Sequence, residues 1–495
     1  MKIKSKIYLI GVMLLFVFFT SEVLASSLKD IPLTTESSKA KELLIKARDA
    51  RELGNLMMAR EFCKKAIFED DRFAYAYVEL AYAANSTQAF KMNLELANKY
   101  YKHCSEAEQL LIKIGLSYFN TNWEDRLNLA NKLIDLQPES PRAWIYLAGI
   151  YTENNQIEAA RKSLEKAISL DENFHYAYQQ LGFSYLNWQP NDFDKAIVNM
   201  KKALALVPNS GHAYINLGDA LRGGSKLEMA RDSYGKAIEL DSENALAYLK
   251  RAHADLFLDD IVSAKSDYHK AVQLADDINL VIYSNYAAFT EIYKGKMMTA
   301  FEELNLALEK VNHLDITESQ KLGQKIFTLQ NMIMLCVHGN QLDRTEKCLM
   351  MYTDNIKKRL EGIQSERYTL GQKAGVELYK IYYLAQKGDY SKAYEKCEKV
   401  KEIYKKLDNE ILMENYYGAQ AYVLLKEKKY KEAILSFQKS DMNEILNKYY
   451  LGMAYEKTGE EDKAKQLYRE VAEFNFNSVE YALLRKDAMK KMKTQ

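Results

Sequence analysis

From residue 141 to 276 the apolar positions recur in one fixed pattern. Two alanines seven residues apart mark each copy, Ala160 and Ala167, Ala196 and Ala203, Ala230 and Ala237, Ala264 and Ala271. Four residues after the first alanine stands a large apolar residue, Leu164, Met200, Tyr234 or Tyr268, and the marks step by 36, 34 and 34 residues. A second stripe precedes each mark, as in Trp144, Leu147, Ala148, Tyr151 and in Tyr178, Leu181, Gly182, Tyr185. Spacings of three and four predict two amphipathic helices per copy. The small residues Ala148, Gly182, Gly218 and Ala252 let neighbouring helices approach while the bulky ones fill the ridges.

The same stripes, less regular, cover most of the chain. They appear at 40–73 (Ala47, Ala59, Cys63, Ala66), at 74–106 (Tyr77, Leu80, Ala81), and at 107–140, which closes on Pro138. They return at 280–313 (Ala300, Leu304, Ala307), 374–413 (Ala393, Cys397), 414–444 (Ala433, Phe437) and 445–478 (Gly452, Ala464, Tyr468). A two-residue insertion at Trp188 to Asn191, where Pro190 forbids helix, is expected to push an indole out from the rim. Between 314 and 373 the pattern loosens into two long helices, Ile316–Val337 and Leu342–Leu360, and a polar stretch from Glu361 to Lys373. The expected organisation is divergent hairpins at 40–140, a regular array at 141–313, an irregular joint at 314–373, a second array at 374–478 and a capping helix at 479–495.

A period near 34 with two helices per unit resembles the tetratricopeptide repeat (TPR) family. The resemblance implies an all-α fold, a right-handed α-solenoid of antiparallel helix hairpins, as one array or as two joined arrays. It also implies an inner groove lined by positions 2, 5, 9 and 12 of each first helix. Candidates there for partner binding are Tyr82, Tyr176, Phe183, Arg222, His253, Tyr422 and Tyr449. Aromatic residues where a solvated face would carry charge mean that something packs there, either a partner or the chain and its copies. Family members that clamp the acidic tails of chaperones use Lys and Asn. Of the corresponding Ile145, Gly149, Gln180, His212 and Asn216, only Asn216 is of that type, so that function is not transferred.

Composition narrows this further. Only 5 Pro and 20 Gly in 495 residues fit an all-helical chain, and 69 basic against 68 acidic residues give no electrostatic case for nucleic acid. Lys2, Lys4 and Lys6, the apolar run Ile7 to Phe19 and the small residues around Ala25 predict a signal peptide at 1–25 and a flexible leader at 26–39. The expected location is therefore exported, periplasmic or secreted and bacterial, with no stable membrane insertion after cleavage; an uncleaved anchor is the lesser alternative. Of the five cysteines, Cys63 and Cys397 occupy the bulky core position of their repeats. Cys336 and Cys348 lie at unequal distances from the turn between their helices, which disfavours a bridge.

No catalytic motif is present: no HExxH, GxSxG, GxxxxGK or GxGxxG. The seven histidines are scattered, and in the pair His103-Cys104 the side chains diverge by about 100 degrees on a helix. No enzyme, cofactor or metal is expected. The leading reading is a scaffold that binds a protein or peptide segment, with self-association open. The alternative is a glycan or small-ligand binder, similar to the starch-binding outer-membrane lipoproteins of gut bacteria. The absence of a lipid-bearing Cys after the apolar run and the long regular array stand against it.

Overall fold

The computed structural model describes residues 30–119, 123–363, 365–408 and 410–493. The expected signal peptide and the first part of the leader lie outside them. The described chain is all-α and falls into two compact units, divided between Ala220 and Leu221. No described helix is long and apolar enough to cross a membrane.

Unit 1 is a series of antiparallel hairpins: α1 (Ser38–Glu52) with α2 (Leu56–Glu69), α3 (Ala74–Tyr82) with α4 (Thr87–Lys99), and α5 (Glu106–Ser117) with α6 (Trp123–Leu136). Next come α7 (Pro141–Glu153) with α8 (Ile157–Leu170) and α9 (His175–Asn187) with α10 (Phe193–Leu206). Helix α11 (Gly211–Gly223) contains the division, and α12 (Leu227–Leu240) opens unit 2. There the hairpins are α13 (Ala245–Phe257) with α14 (Ile261–Leu274), α15 (Leu280–Tyr293) with α16 (Met297–Lys310), and α17 (Glu318–His338) with α18 (Leu342–Leu360). They continue as α19 (Glu366–Lys387) with α20 (Tyr390–Leu407), α21 (Glu410–Lys426) with α22 (Tyr430–Phe437) and α23 (Ile445–Thr458) with α24 (Glu461–Ala472), before a last helix, α25 (Val479–Lys493).

The marking alanines are the closest points of packing: Ala160, Ala167, Ala230, Ala237, Ala264 and Ala271 have no exposed surface. A Cβ on Gly452 would stand 3.0 Å from the Tyr468 ring, and one on Gly182 2.9 Å from the Met200 methyl, so these small residues are required by the approach of the paired helix. Cys63 and Cys397 are buried as fillers, and all five cysteines are free thiols.

One regularity escapes the hydrophobic pattern. Five residues before the first small residue of a hairpin, the backbone takes the left-handed conformation, at Gly54, Asn155, Ser225, Asp259, Gly295, Asn340, Gly388, Lys428 and Gly459. That residue lets the next N–H reach back to the carbonyl five residues earlier, as from Gln156 to Tyr151 at 2.8 Å and from Gln341 to Cys336 at 2.8 Å. At these nine turns the first helix thus ends in a Schellman closure before the second begins, whereas α3 and α9 end without one.

Asn340 carries that turn inside the stretch expected to be an irregular joint. Thr345, Leu349 and Tyr352 take the places of alanine, large residue and alanine, and all three are buried. Residues 318–360 are therefore a hairpin of the same type with longer helices, of 21 and 19 residues. The polar stretch after it is helical from Glu366, where the Ser365 hydroxyl accepts the Tyr368 N–H at 3.3 Å. Only 361–365 lies between the two helices.

Candidate functional site

In unit 1 the first helices converge. Arg142 of α7 reaches Glu52 at the end of α1 with two parallel bonds, Nε to Oε1 at 2.9 Å and Nη2 to Oε2 at 3.0 Å. Its third nitrogen and Arg48 both pair with Asp30, which also takes the Ser140 hydroxyl at 3.2 Å. Burial alone would raise the Asp30 carboxyl, but Arg142 and Arg48 outweigh it and hold it below its usual value. Arg51, one turn along α1, donates Nε to Glu79 of α3 at 2.8 Å and lies 5.8 Å over the Tyr176 ring of α9.

Beside this lattice of charges lies a cavity of about 380 Å³. Its wall is aromatic, with Tyr82, Tyr118, Tyr146, Tyr176, Phe183 and Trp188, and its polar groups include Arg51, Gln180 and Thr152. The Tyr82 ring packs against Tyr146 and Phe90, and its hydroxyl is buried without a partner. Burial accordingly pushes its pKa up. Trp188 stands at the rim, 41% exposed, on the insertion the sequence placed there. Arg161 fixes that loop by donating to the carbonyls of Ser184, Trp188 and Pro190. Gly149 faces the same space from α7, and a Cβ built on it meets nothing within 4 Å. This helix face thus leaves open room beside four tyrosines.

Unit 2 treats its first-helix face differently, covering it with the chain's own C-terminal segment. After α24 residues 474–478 are non-helical, with Asn475 in the left-handed conformation, before α25 begins. Arg222 donates Nη1 to the Asn475 carbonyl and lies 4.7 Å over the Phe476 ring. Asn475 donates Nδ2 to the Ser225 hydroxyl at 2.9 Å, and Asn477 donates to Tyr268 Oη at 3.0 Å. His253 stands behind them, its Nδ1 2.5 Å from Tyr268 Oη and 3.4 Å from the Asn477 amide. Helix α25 then buries Tyr481, Leu484 and Ala488 against α15, α17 and α23, and Arg485 binds Asp259 at 3.0 Å. The helix expected as a cap thus packs against first helices of three hairpins.

These placements sort the seven candidates. Tyr82, Tyr176 and Phe183 come together on the cavity of unit 1. Arg222 and His253 hold the C-terminal segment. Tyr422 and Tyr449, expected on an open groove, are instead enclosed. Tyr422 is 1% exposed between Tyr382 and Tyr450, with its hydroxyl on Gln386 at 3.1 Å. Tyr449 donates to Asp487 of α25 and packs on Tyr468. The hydrophobic pattern gave no sign of Arg51, Glu52, Arg142 or Asp30, because charges near helix ends read as solvated. Among the described residues no cluster of His, Cys, Asp or Glu is set to hold a metal.

Helical hairpins in series, with a lined first-helix face in each unit, define a repeat scaffold. Models of the tetratricopeptide repeat match residues 141–174, 211–244 and 447–474. The chain carries tetratricopeptide repeats. Protein O-mannosyl-transferase TMTC1 of Homo sapiens is 26% identical over 194 residues, 38% of this chain and 22% of that protein. Anaphase-promoting complex subunit 3 of Schizosaccharomyces pombe is 25% identical over 235 residues, 48% of this chain and 32% of that protein. The chain thus spans a third or less of the length of these relatives. A solved structure of MamA from Desulfovibrio magneticus RS-1 matches at 19% identity, covering 34% of this chain and 96% of that one with a TM-score of 0.31.

Proposed function

We propose that the protein is a non-catalytic adaptor, exported to the cell envelope, that binds an extended protein segment in the cavity of unit 1. The observation that carries this reading is the half-polar aromatic cavity beside Gly149, Tyr82 and Tyr176, on the face where repeats of this kind leave a groove. A peptide needs hydrogen-bonding partners for its carbonyls and a surface for its side chains. Arg51, Gln180 and the tyrosine hydroxyls supply the first; Phe183 and Trp188 supply the second. Export rests on the basic and apolar residues of the N-terminus.

Gly149→Leu tests it. A Cβ at Gly149 meets nothing within 4 Å and the position lines the cavity, so the larger side chain is expected to occupy that space while helix content and thermal midpoint hold. On an array of extended decapeptides, the wild-type chain binds a subset and the variant binds none. Equal binding by both proteins refutes the site. Selective retention of the wild type on insoluble polysaccharide would move the reading to a glycan.

A further inference from the structure

Arg51 and Arg222 occupy the same register position, eight residues before the first small residue of their hairpins, Ala59 and Ala230. Elsewhere that position is filled by residues such as Leu256, Ile292 and Ala385. Thirty-one residues further on stand Tyr82 and His253, again in matching register. The chain therefore carries the same pair twice, an arginine at the end of one first helix and a ring on the next.

In unit 2 that pair is occupied. Arg222 takes the Asn475 carbonyl and covers Phe476, while His253 and Tyr268 receive the Asn477 carboxamide and Ser225 the Asn475 carboxamide. The bound element is an aromatic residue flanked by two carboxamides, entered through the left-handed turn at Asn475. In unit 1 the same pair lines the 380 Å³ cavity, and Tyr82 keeps its buried hydroxyl unpartnered there. One difference bears on fit. Glu79 holds Arg51 where unit 2 has Lys250, so Arg51 is fixed by a carboxylate before any ligand arrives.

Resting on the reading that unit 1 binds an extended segment, we propose the chemistry of that segment: an aromatic side chain between two carboxamide side chains, held as this chain holds its own Asn475-Phe476-Asn477. Arg51 takes a backbone carbonyl and covers the aromatic ring, and Tyr82 takes a flanking carboxamide. The partner is another protein bearing such a segment. The chain's own copy is built into the buried core of unit 2 through Tyr481 and Leu484, and does not serve.

The test uses the full chain and a fluorescent peptide of the sequence of residues 472–480, with a second peptide in which the residue at 476 is alanine. Anisotropy is expected to show saturable binding of the first and a loss of about tenfold or more for the second. Arg51→Lys and Trp188→Ala should weaken it, and Arg222→Lys should not; Trp188 is exposed at the rim, so its removal leaves the fold intact. Binding lost only with Arg222→Lys would mean exchange with the C-terminal segment and would overturn the proposal. Binding of other array peptides, sensitive to Gly149→Leu, with none of this one overturns the chemistry while leaving the peptide site standing. No peptide bound at all removes both.

Discussion

Arg142 and Glu52, ninety residues apart in sequence, are joined by two parallel hydrogen bonds that tie the first hairpin of unit 1 to its fourth. Both side chains are largely buried, at 18% and 3% exposure. Such a pair is costly to break from one side, because the partner left behind keeps its desolvation without its counter-charge.

Arg142→Ala is therefore expected to lower the stability of unit 1 by about 3–5 kcal/mol, read from the urea midpoint. Replacing both partners, as Arg142→Met with Glu52→Gln, should recover part of the loss. The pH dependence has a definite sign. Asp30 is held below the usual carboxylate value, so its contribution is full above that value and is lost as pH falls through the lowered one. The wild-type chain should lose stability below about pH 4 more steeply than Asp30→Asn.

Asp255 in unit 2 behaves in the opposite way. Burial, and then the neighbouring Asp267, push its carboxyl up to about 6. The folded state prefers the protonated acid, so stability falls as pH rises from about 4 to about 6 and stays low above. Asp255→Asn should stabilise the protein at pH 7 by on the order of 2 kcal/mol and flatten that part of the profile. An unchanged midpoint at pH 7 would show that Arg231 and Arg251, the attracting charges, already balance the burial.

The fold was legible because its determinants are local and periodic. Ala160, Tyr234 and Ala271 announce themselves by spacing, and burial confirms them. The turn residues Asn155, Asp259 and Asn340 were equally regular, yet invisible to a reading by hydrophobicity, since their common property is a backbone angle. That omission made 318–360 look irregular. The candidate site was only half legible. Register placed Tyr82, Tyr176 and Phe183 on the cavity, but whether a first-helix face stays open depends on what the chain folds across it, and residues 474–493 fold across that of unit 2.

The connection between α18 and α19 is the accessible break left within the stretch expected as a joint. Glu361, Gly362 and Ile363 are exposed, Gly362 has φ +77° and a Cβ there would meet nothing. Brief trypsin treatment of the native chain should cut first between Lys357 and Lys373, with exposed Lys358 and Arg367 as the sites. Protection of this stretch, with earlier cuts elsewhere, would mean that the lengthened hairpin and its neighbour act as one block.

Tyr422 and Phe183 were equivalent expectations, and the structure separates them. Tyr422 is packed between Tyr382 and Tyr450 in tilted and edge-on contacts, each 4.9 Å away, and its loss opens a cavity in the core. Phe183 is half-buried on the wall of a space already present. Tyr422→Ala should therefore cost about 3–5 kcal/mol of stability and leave peptide capture by the folded fraction unchanged. Phe183→Ala should shift the thermal midpoint little and weaken capture. Thermal unfolding and anisotropy on the two variants decide it: the reverse assignment would place the binding face in unit 2 and make the cavity of unit 1 a packing defect.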